Sequence, residues 1–264
     1  MDPVDLTGGI DVARPSPARI YDYLLGGSLN FAADRDAARQ LIAMVPDVPL
    51  VAQANRAFLR RAVRFLVDVG VRQFLDLGSG VPTRGNVHEI AQQMAPGSRV
   101  VYVDIDPVAV AHSRQILAGN DRATAIQQDA RRPEQILEHP EVRRLLDLSR
   151  PTAMLVVSML HFIPDSDDPA GIMHKLHDAL APGSYLVLSH LTSGNGPGGA
   201  TPDGGWSDTF ANPRSLAEVA RFFAGFDLVE PGLVPVEQWR PDAPGTAGDN
   251  PALLCMHAGV GRKA

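Results

Sequence analysis

From Ala18 to Asp68 the apolar positions, among them Phe58, Val63, Leu66 and Val67, recur at helical spacing, broken at Gly26-Gly27 and between Pro46 and Pro49. The pattern predicts a helical N-terminal cap or lid over residues 1–68, with a lead-in to about residue 18 rich in Pro, Asp and Gly. After Gly70 short β-branched or aliphatic runs alternate with helix-length amphipathic stretches, the mark of βαβ units on a parallel sheet. Strands are predicted at 73–77, 100–104, 123–128, 152–158, 184–190, 226–229 and 252–259. Helices are predicted at 84–94, 107–118, 133–147, 168–180 and 214–224. Residues 69–264 thus form an α/β unit, and the Gly- and Pro-rich stretch Ser193 to Asp208 reads as a mobile loop.

The first strand runs directly into glycines, as Phe74-Leu75-Asp76-Leu77-Gly78-Ser79-Gly80. Such a turn lets backbone approach a ligand where a side chain would collide. A dinucleotide site would require G-x-G-x-x-G, but the third position holds Thr83 and the next glycine is Gly85. Asp76, two residues before the first glycine, instead suits a D-x-G-x-G turn that holds the amino-carboxypropyl end of S-adenosylmethionine (SAM). The second strand ends at Asp104, 24 residues after Gly80, where a carboxylate accepts hydrogen bonds from ribose hydroxyls. Ile105 and Asp106 follow, and Asp106 also suits a helix N-terminus. The third strand ends at Gln127-Gln128-Asp129-Ala130, with a side-chain acceptor for an adenine amino group and a backbone N–H for a ring nitrogen. Successive strand ends of a parallel sheet share one edge, where open α/β folds bind ligands.

Composition narrows the partners. The net charge of -6 gives no overall field for phosphate backbones or anionic lipid, so nucleic acid and membrane are poor partners. Arg56, Arg60 and Arg64 recur every four residues, which reads first as a solvated or ion-paired helix face. The single cysteine, Cys255, excludes an internal disulfide and a thiolate metal cluster, and its apolar neighbours predict a buried strand residue. Met1 to Asp5 lack a basic n-region and an apolar h-region, and the run Ala153 to Leu160 is too short to span a bilayer, which together predict a cytoplasmic protein. A homodimer is left open.

Residues 74–191 resemble the class I SAM-dependent methyltransferase core, with Asp76, Gly78 and Gly80 at its first motif, Asp104 at its ribose acid and Asp129 at its adenine contact. The wider pattern is similar to a bacterial S-adenosyl methyltransferase family of unassigned substrate. That similarity lies in Arg19 to Gly27, Asn30 to Asp34, Asn55 to Phe58, Asn86 to Glu89 and Leu160 to Asp165. The resemblance implies a seven-stranded, mostly parallel Rossmann-like sheet of order 3-2-1-4-5-7-6 with strand 7 antiparallel. It also implies SAM as cofactor, S-adenosylhomocysteine as product, and a cofactor site that includes Ser79, Ala130 and Ser158 beside the residues above.

The sulfonium of SAM is already activated, so transfer chiefly needs an acceptor held in line and freed of water. A hydroxyl or ammonium acceptor must also lose a proton, which suits a histidine. His161, after the fourth strand, is the candidate base, and His190, ending the fifth, a candidate substrate residue. Tyr21 and Asn30, beside Gly26-Gly27, are candidate pocket residues on the lid, whereas Phe58 reads as packing. His174 and His177 share a helix face, but the sequence shows no third metal ligand. Asp165, Asp167 and Asp168 could follow strand four in a metal-dependent enzyme, yet Ser189-His190-Leu191 lacks the Asp-Asn pair such enzymes carry after strand five. Ser158-Met159-Leu160-His161 likewise lacks the Asn/Asp-Pro-Pro-aromatic segment of DNA amino-methyltransferases. A small-molecule acceptor, methylated on oxygen or nitrogen without a metal, is the expectation by elimination. The alternative is a non-catalytic sensor of SAM or S-adenosylhomocysteine, since the cofactor motifs are stronger than the catalytic ones. A nicotinamide enzyme is disfavoured by the missing third glycine.

Overall fold

Strand β1 (Gln73–Leu77) is buried at every position, as a central strand covered on both faces must be. It pairs in parallel with β2 (Arg99–Asp104) and β4 (Ala153–Val157). The sheet continues through β3 (Ala123–Gln127) on one side and β5 (Tyr185–Leu191) on the other. The computed structural model describes residues 11–83, 85–193, 211–242, 253 and 255–264. The predicted lead-in up to residue 10 and the predicted loop from residue 194 to 208 lie outside these residues.

The strand order is β3-β2-β1-β4-β5-β8-β6, with β6 at Phe226–Leu228 and β8 at Met256–Lys263 antiparallel to β5. The order implied by the resemblance is therefore present, but the sheet has eight strands. The additional one, β7 (Val234–Pro235), is two residues long and pairs with β8 at Ala258 and His257. The last strand begins four residues later than predicted, because the register Leu191↔Met256 to Tyr185↔Arg262 sets its limits. Local hydrophobicity carries no such pairing information. Cys255 accordingly lies just before β8, half-buried, and burial pushes its thiol up to about 11.

Alternate residues feed two apolar layers, as the two-residue period of a strand requires. Phe74, Val100 and Leu155 join one core, with α3 (Val48–Asp68), α4 (Val87–Met94) and α5 (Pro107–Ile116). Leu75, Val101 and Met154 join the other. That face is covered by α6 (Pro133–Leu137), α7 (Pro140–Leu145), α8 (Pro169–Ala179) and α9 (Leu216–Arg221). The single helix expected over 133–147 is divided between α6 and α7, because Pro140 cannot continue a helix.

The N-terminal segment divides its loyalties. Helix α1 (Pro17–Leu24) and α2 (Ala32–Met44) bury Ile20, Leu24, Ala37 and Ala38 against Val48 and Ala52 at the start of α3. From Phe58 to Val67 the same α3 packs into the main core, and Phe58 meets Trp239 edge to face at 5.5 Å. A buried ion-pair triad fastens α1 to the sheet edge: Arg19 Nε donates to Asp34 at 2.9 Å and Nη1 to Asp106 at 3.1 Å. Among the described residues no helix is long and apolar enough to cross a membrane.

Candidate active site

The carboxyl ends of β1 to β4 open into one cavity of about 360 Å³. Asp76, Gly78, Ser79 and Gly80 line it from β1, and Asp104, Ile105 and Asp106 from β2. Gln128, Asp129 and Ala130 follow β3, and Ser158 follows β4. Tyr21 of α1 and Asn55, Arg56 and Leu59 of α3 form the facing wall, with Met159 and Phe162 beside Ser158.

Asp104 is held by backbone. Its Oδ2 accepts from Gly80 N at 2.7 Å and its Oδ1 from Asp106 N at 2.8 Å. Burial pushes its carboxyl up to about 6, against the pull of those hydrogen bonds. Asp106 caps α5, accepting from Val108 N at 2.8 Å with Pro107 in the first turn, so the helix role and the cavity position coincide in one residue. Asp76 is 5% exposed and has no hydrogen-bond partner among the described residues; burial pushes it up to about 7, with Arg56 opposing. Asp129 lines the cavity, but Arg131 already forks its carboxylate, with Nη2 at 2.6 Å and Nε at 2.9 Å. Partial burial raises that carboxyl, and the Arg131 bonds outweigh it and hold it below the usual value.

The two motif glycines serve different ends. A Cβ on Gly78 would lie 2.3 Å from Met159 Cγ, so this glycine makes room for the loop after β4. A Cβ on Gly80 would meet nothing within 4 Å, and its φ of +68 disfavours any side chain.

The sequence profile of the S-adenosyl methyltransferase family matches residues 5–264. The chain belongs to that family. This SAM-dependent methyltransferase is 42% identical to a Thermobifida fusca YX protein provisionally assigned as a methyltransferase, with a TM-score of 0.93 over 99% of each chain. It is 40% identical to a domain-of-unknown-function family protein from Streptomyces avermitilis MA-4680, with a TM-score of 0.90 over 96% of this chain and 99% of that one. The Synechocystis PCC 6803 magnesium protoporphyrin IX methyltransferase with bound S-adenosylhomocysteine shares the fold, at 16% identity and a TM-score of 0.54 over 93% of each chain. No curated protein matches the sequence.

The residues present fit the cofactor. Gly80 leaves its Cβ position open at the cavity wall, and Asp76 offers an unpartnered carboxylate there to an ammonium group. The lone pairs of Asp104 not used by Gly80 and Asp106 remain for hydroxyls.

The histidines of this methyltransferase stand elsewhere. His161 is 2% exposed behind the wall, its Nδ1 3.4 Å from Leu191 N and its ring between Phe162 and His190. Burial holds its pKa well below the usual histidine value, with His190 and Arg214 adding to the effect. His190 is fully buried: Nε2 accepts from Arg214 Nη1 at 2.9 Å, which leaves Nδ1–H to donate to Leu191 O at 2.6 Å. Burial lowers its pKa to about 4. The sequence expectation placed both beside the pocket; in the fold the turn Leu160–Phe162 sends Phe162 to the cavity and His161 inward. Arg214 fastens that turn, reaching Leu160 O, Ile163 O and Asp165 Oδ1.

Of the two residues expected on a lid, Tyr21 lines the cavity and Asn30 does not. Asn30 Nδ2 donates to Asp22 Oδ2 at 2.8 Å and to Gly27 O at 3.1 Å, closing the turn after α1. Gly27 is close-packed there, since a Cβ would lie 2.0 Å from Asp22 Oδ1. Asp178 joins His174 and His177 as a third group, at 3.4 Å and 3.1 Å, on α8 and outside the residues that line the cavity. Sequence reasoning missed Arg56, Asn55 and Leu59 as wall residues. The signal was in the α3 pattern: Asn55 and Leu59 share a face with Phe58 and Ala62, and Arg56 borders it.

Proposed function

We propose that this methyltransferase transfers its methyl group to a small-molecule acceptor, on oxygen or nitrogen and without a metal ion. The observation that supports the reading is the make-up of the cavity: three strand-end acids on one wall, and Tyr21, Asn55, Leu59 and Phe162 on the other. About 360 Å³ is a small-ligand volume, and the net charge of -6 argues against a polyanionic acceptor. On this reading Asp76, Gly78, Ser79 and Gly80 take the amino-carboxypropyl end of the cofactor, Asp104, Ile105 and Asp106 its ribose, and Asp129 with Ala130 its adenine. Residues before 69 are the cap and residues 69–264 the cofactor-binding unit of a cytoplasmic enzyme.

Bound SAM supplies a methyl group activated on sulfur. The chain's own residues hold and dry the acceptor. Leu59 and Phe162 exclude water, and the Tyr21 hydroxyl, fixed between Ala52 O and Asn55 Nδ2 at 3.0 Å each, orients a polar group. Ser158, in the left-handed region at φ 57, is pinned by Ser189 Oγ, which accepts from Ser158 N at 2.9 Å and donates to Asn55 Oδ1 at 2.6 Å. Helices α1 and α3, strand β5 and the turn after β4 thereby meet in one hydrogen-bonded chain at the acceptor wall. His161 acts through the turn it supports, as a positioning residue. The test is incubation with methyl-labelled SAM and fractionated small metabolites; a labelled product supports the reading. One observation favours a second reading, a non-catalytic sensor: no histidine lines the cavity among the described residues. Tight binding of S-adenosylhomocysteine with no label transferred to any fraction would favour the sensor.

A further inference from the structure

Helix α3 carries Arg56 into the wall of the main cavity and of a water-sized hollow beside it, and Asp76 lines both. The guanidinium is oriented from one side only. Its Nη2 donates to Thr83 Oγ1 at 2.6 Å and to Asn86 Oδ1 at 3.4 Å. Its Nε is sealed from solvent and has no hydrogen-bond partner. That nitrogen faces protein rather than the cavity, whereas Nη1 makes no hydrogen bond with a described residue and is the donor left for an acceptor in the cavity.

Two further facts point to an anion. Arg131, the other arginine among the described lining residues, is committed to Asp129 and Asp167. Asp76 has no hydrogen bond to Arg56 or to any other described residue, although the charge of Arg56 favours its ionised form. The two facing walls thus hold a carboxylate and a guanidinium with a spare donor, unbridged to each other. A ligand end with an ammonium and a carboxylate on one carbon satisfies both at once.

We infer that Arg56 binds the α-carboxylate of the cofactor's methionine half, opposite Asp76, which takes its ammonium. The inference rests on the reading of Asp76 to Gly80 as the cofactor turn. It makes α3 a cofactor-binding element as well as a wall for the acceptor. It also makes the enzyme selective for cofactor that retains its carboxylate.

Calorimetry with S-adenosylhomocysteine and with its decarboxylated analogue separates this role from a structural one. In Arg56→Met, S-adenosylhomocysteine should bind roughly tenfold or more weakly, the loss of a hydrogen-bonded charge pair, while the decarboxylated analogue changes by less than about threefold. Arg56→Lys, which keeps the charge without the fork, should recover part of the loss. Equal weakening of both ligands, or unchanged binding of S-adenosylhomocysteine, would overturn the inference. Wild-type protein that binds neither ligand would sink the cofactor-turn reading itself.

Discussion

Replacing Asp104 by Asn tests the ribose assignment at the level of single hydrogen bonds. The carboxylate offers about four lone-pair sites. Two are used by Gly80 N at 2.7 Å and Asp106 N at 2.8 Å, and the Ile105 backbone N–H also bears on the group, so at most two remain for hydroxyls. An Asn keeps one oxygen and turns an NH2 toward one of those amides, so a donor faces a donor. Either a backbone N–H loses its acceptor or a ribose hydroxyl does, and the negative charge is gone in both cases. Losing one hydrogen bond to a charged group costs about 1.5–3 kcal/mol, so affinity for S-adenosylhomocysteine should fall about 10- to 100-fold. Isothermal calorimetry at pH 7.5 reads the change, and the melting temperature of the ligand-free variant shows that it is folded. A folded variant whose affinity lies within about threefold of wild type would refute the assignment.

Three other outcomes follow from the geometry. Ser189 is fully buried between Asn55 and Ser158 N, so Ser189→Ala should lose about 2 kcal/mol, roughly 4–8 °C in melting temperature. Asp76 titrates at about 7 in the folded state against a usual 3.8, so between those values the folded chain keeps a proton that the unfolded chain has released. Its contribution to stability therefore falls as pH rises through that window; the melting temperature of wild type minus that of Asp76→Asn should drop from pH 5 to 7.5, and a flat difference would contradict the burial argument. His190, lowered to about 4 with its Nε2 held by Arg214, should remain neutral with the proton on Nδ1 when followed by nitrogen NMR from pH 8 to 5, and an imidazolium appearing near pH 6.5 would be inconsistent with this site.

The wall proposed to hold the cofactor was legible in the sequence for a physical reason. A parallel strand buried on both faces must be a continuous apolar run, and the turn that leaves it at the carboxyl end shows its glycine or acid in the next few positions. Asp76, Gly80, Asp104 and Asp129 therefore announced themselves by phase, and parallel pairing then set all their strand ends on one edge. The facing wall was not legible in this way. Arg56 and Arg64 look alike along α3, yet Arg64 meets Asp242 at the surface while Arg56 enters the cavity.

The histidines show the same limit from the other side. His161 stands at the expected position in the chain, and one tight turn decides that its neighbour Phe162 reaches the cavity instead. The eighth strand, the break at Pro140 between α6 and α7, and the Arg19–Asp34–Asp106 triad add to this list. Residue order by itself determined the elements and the cofactor turn, because spacing, turn chemistry and capping act over a few residues. Only the tertiary structure decided which charges are buried, paired or left seeking a partner, because burial depends on neighbours dozens of residues away.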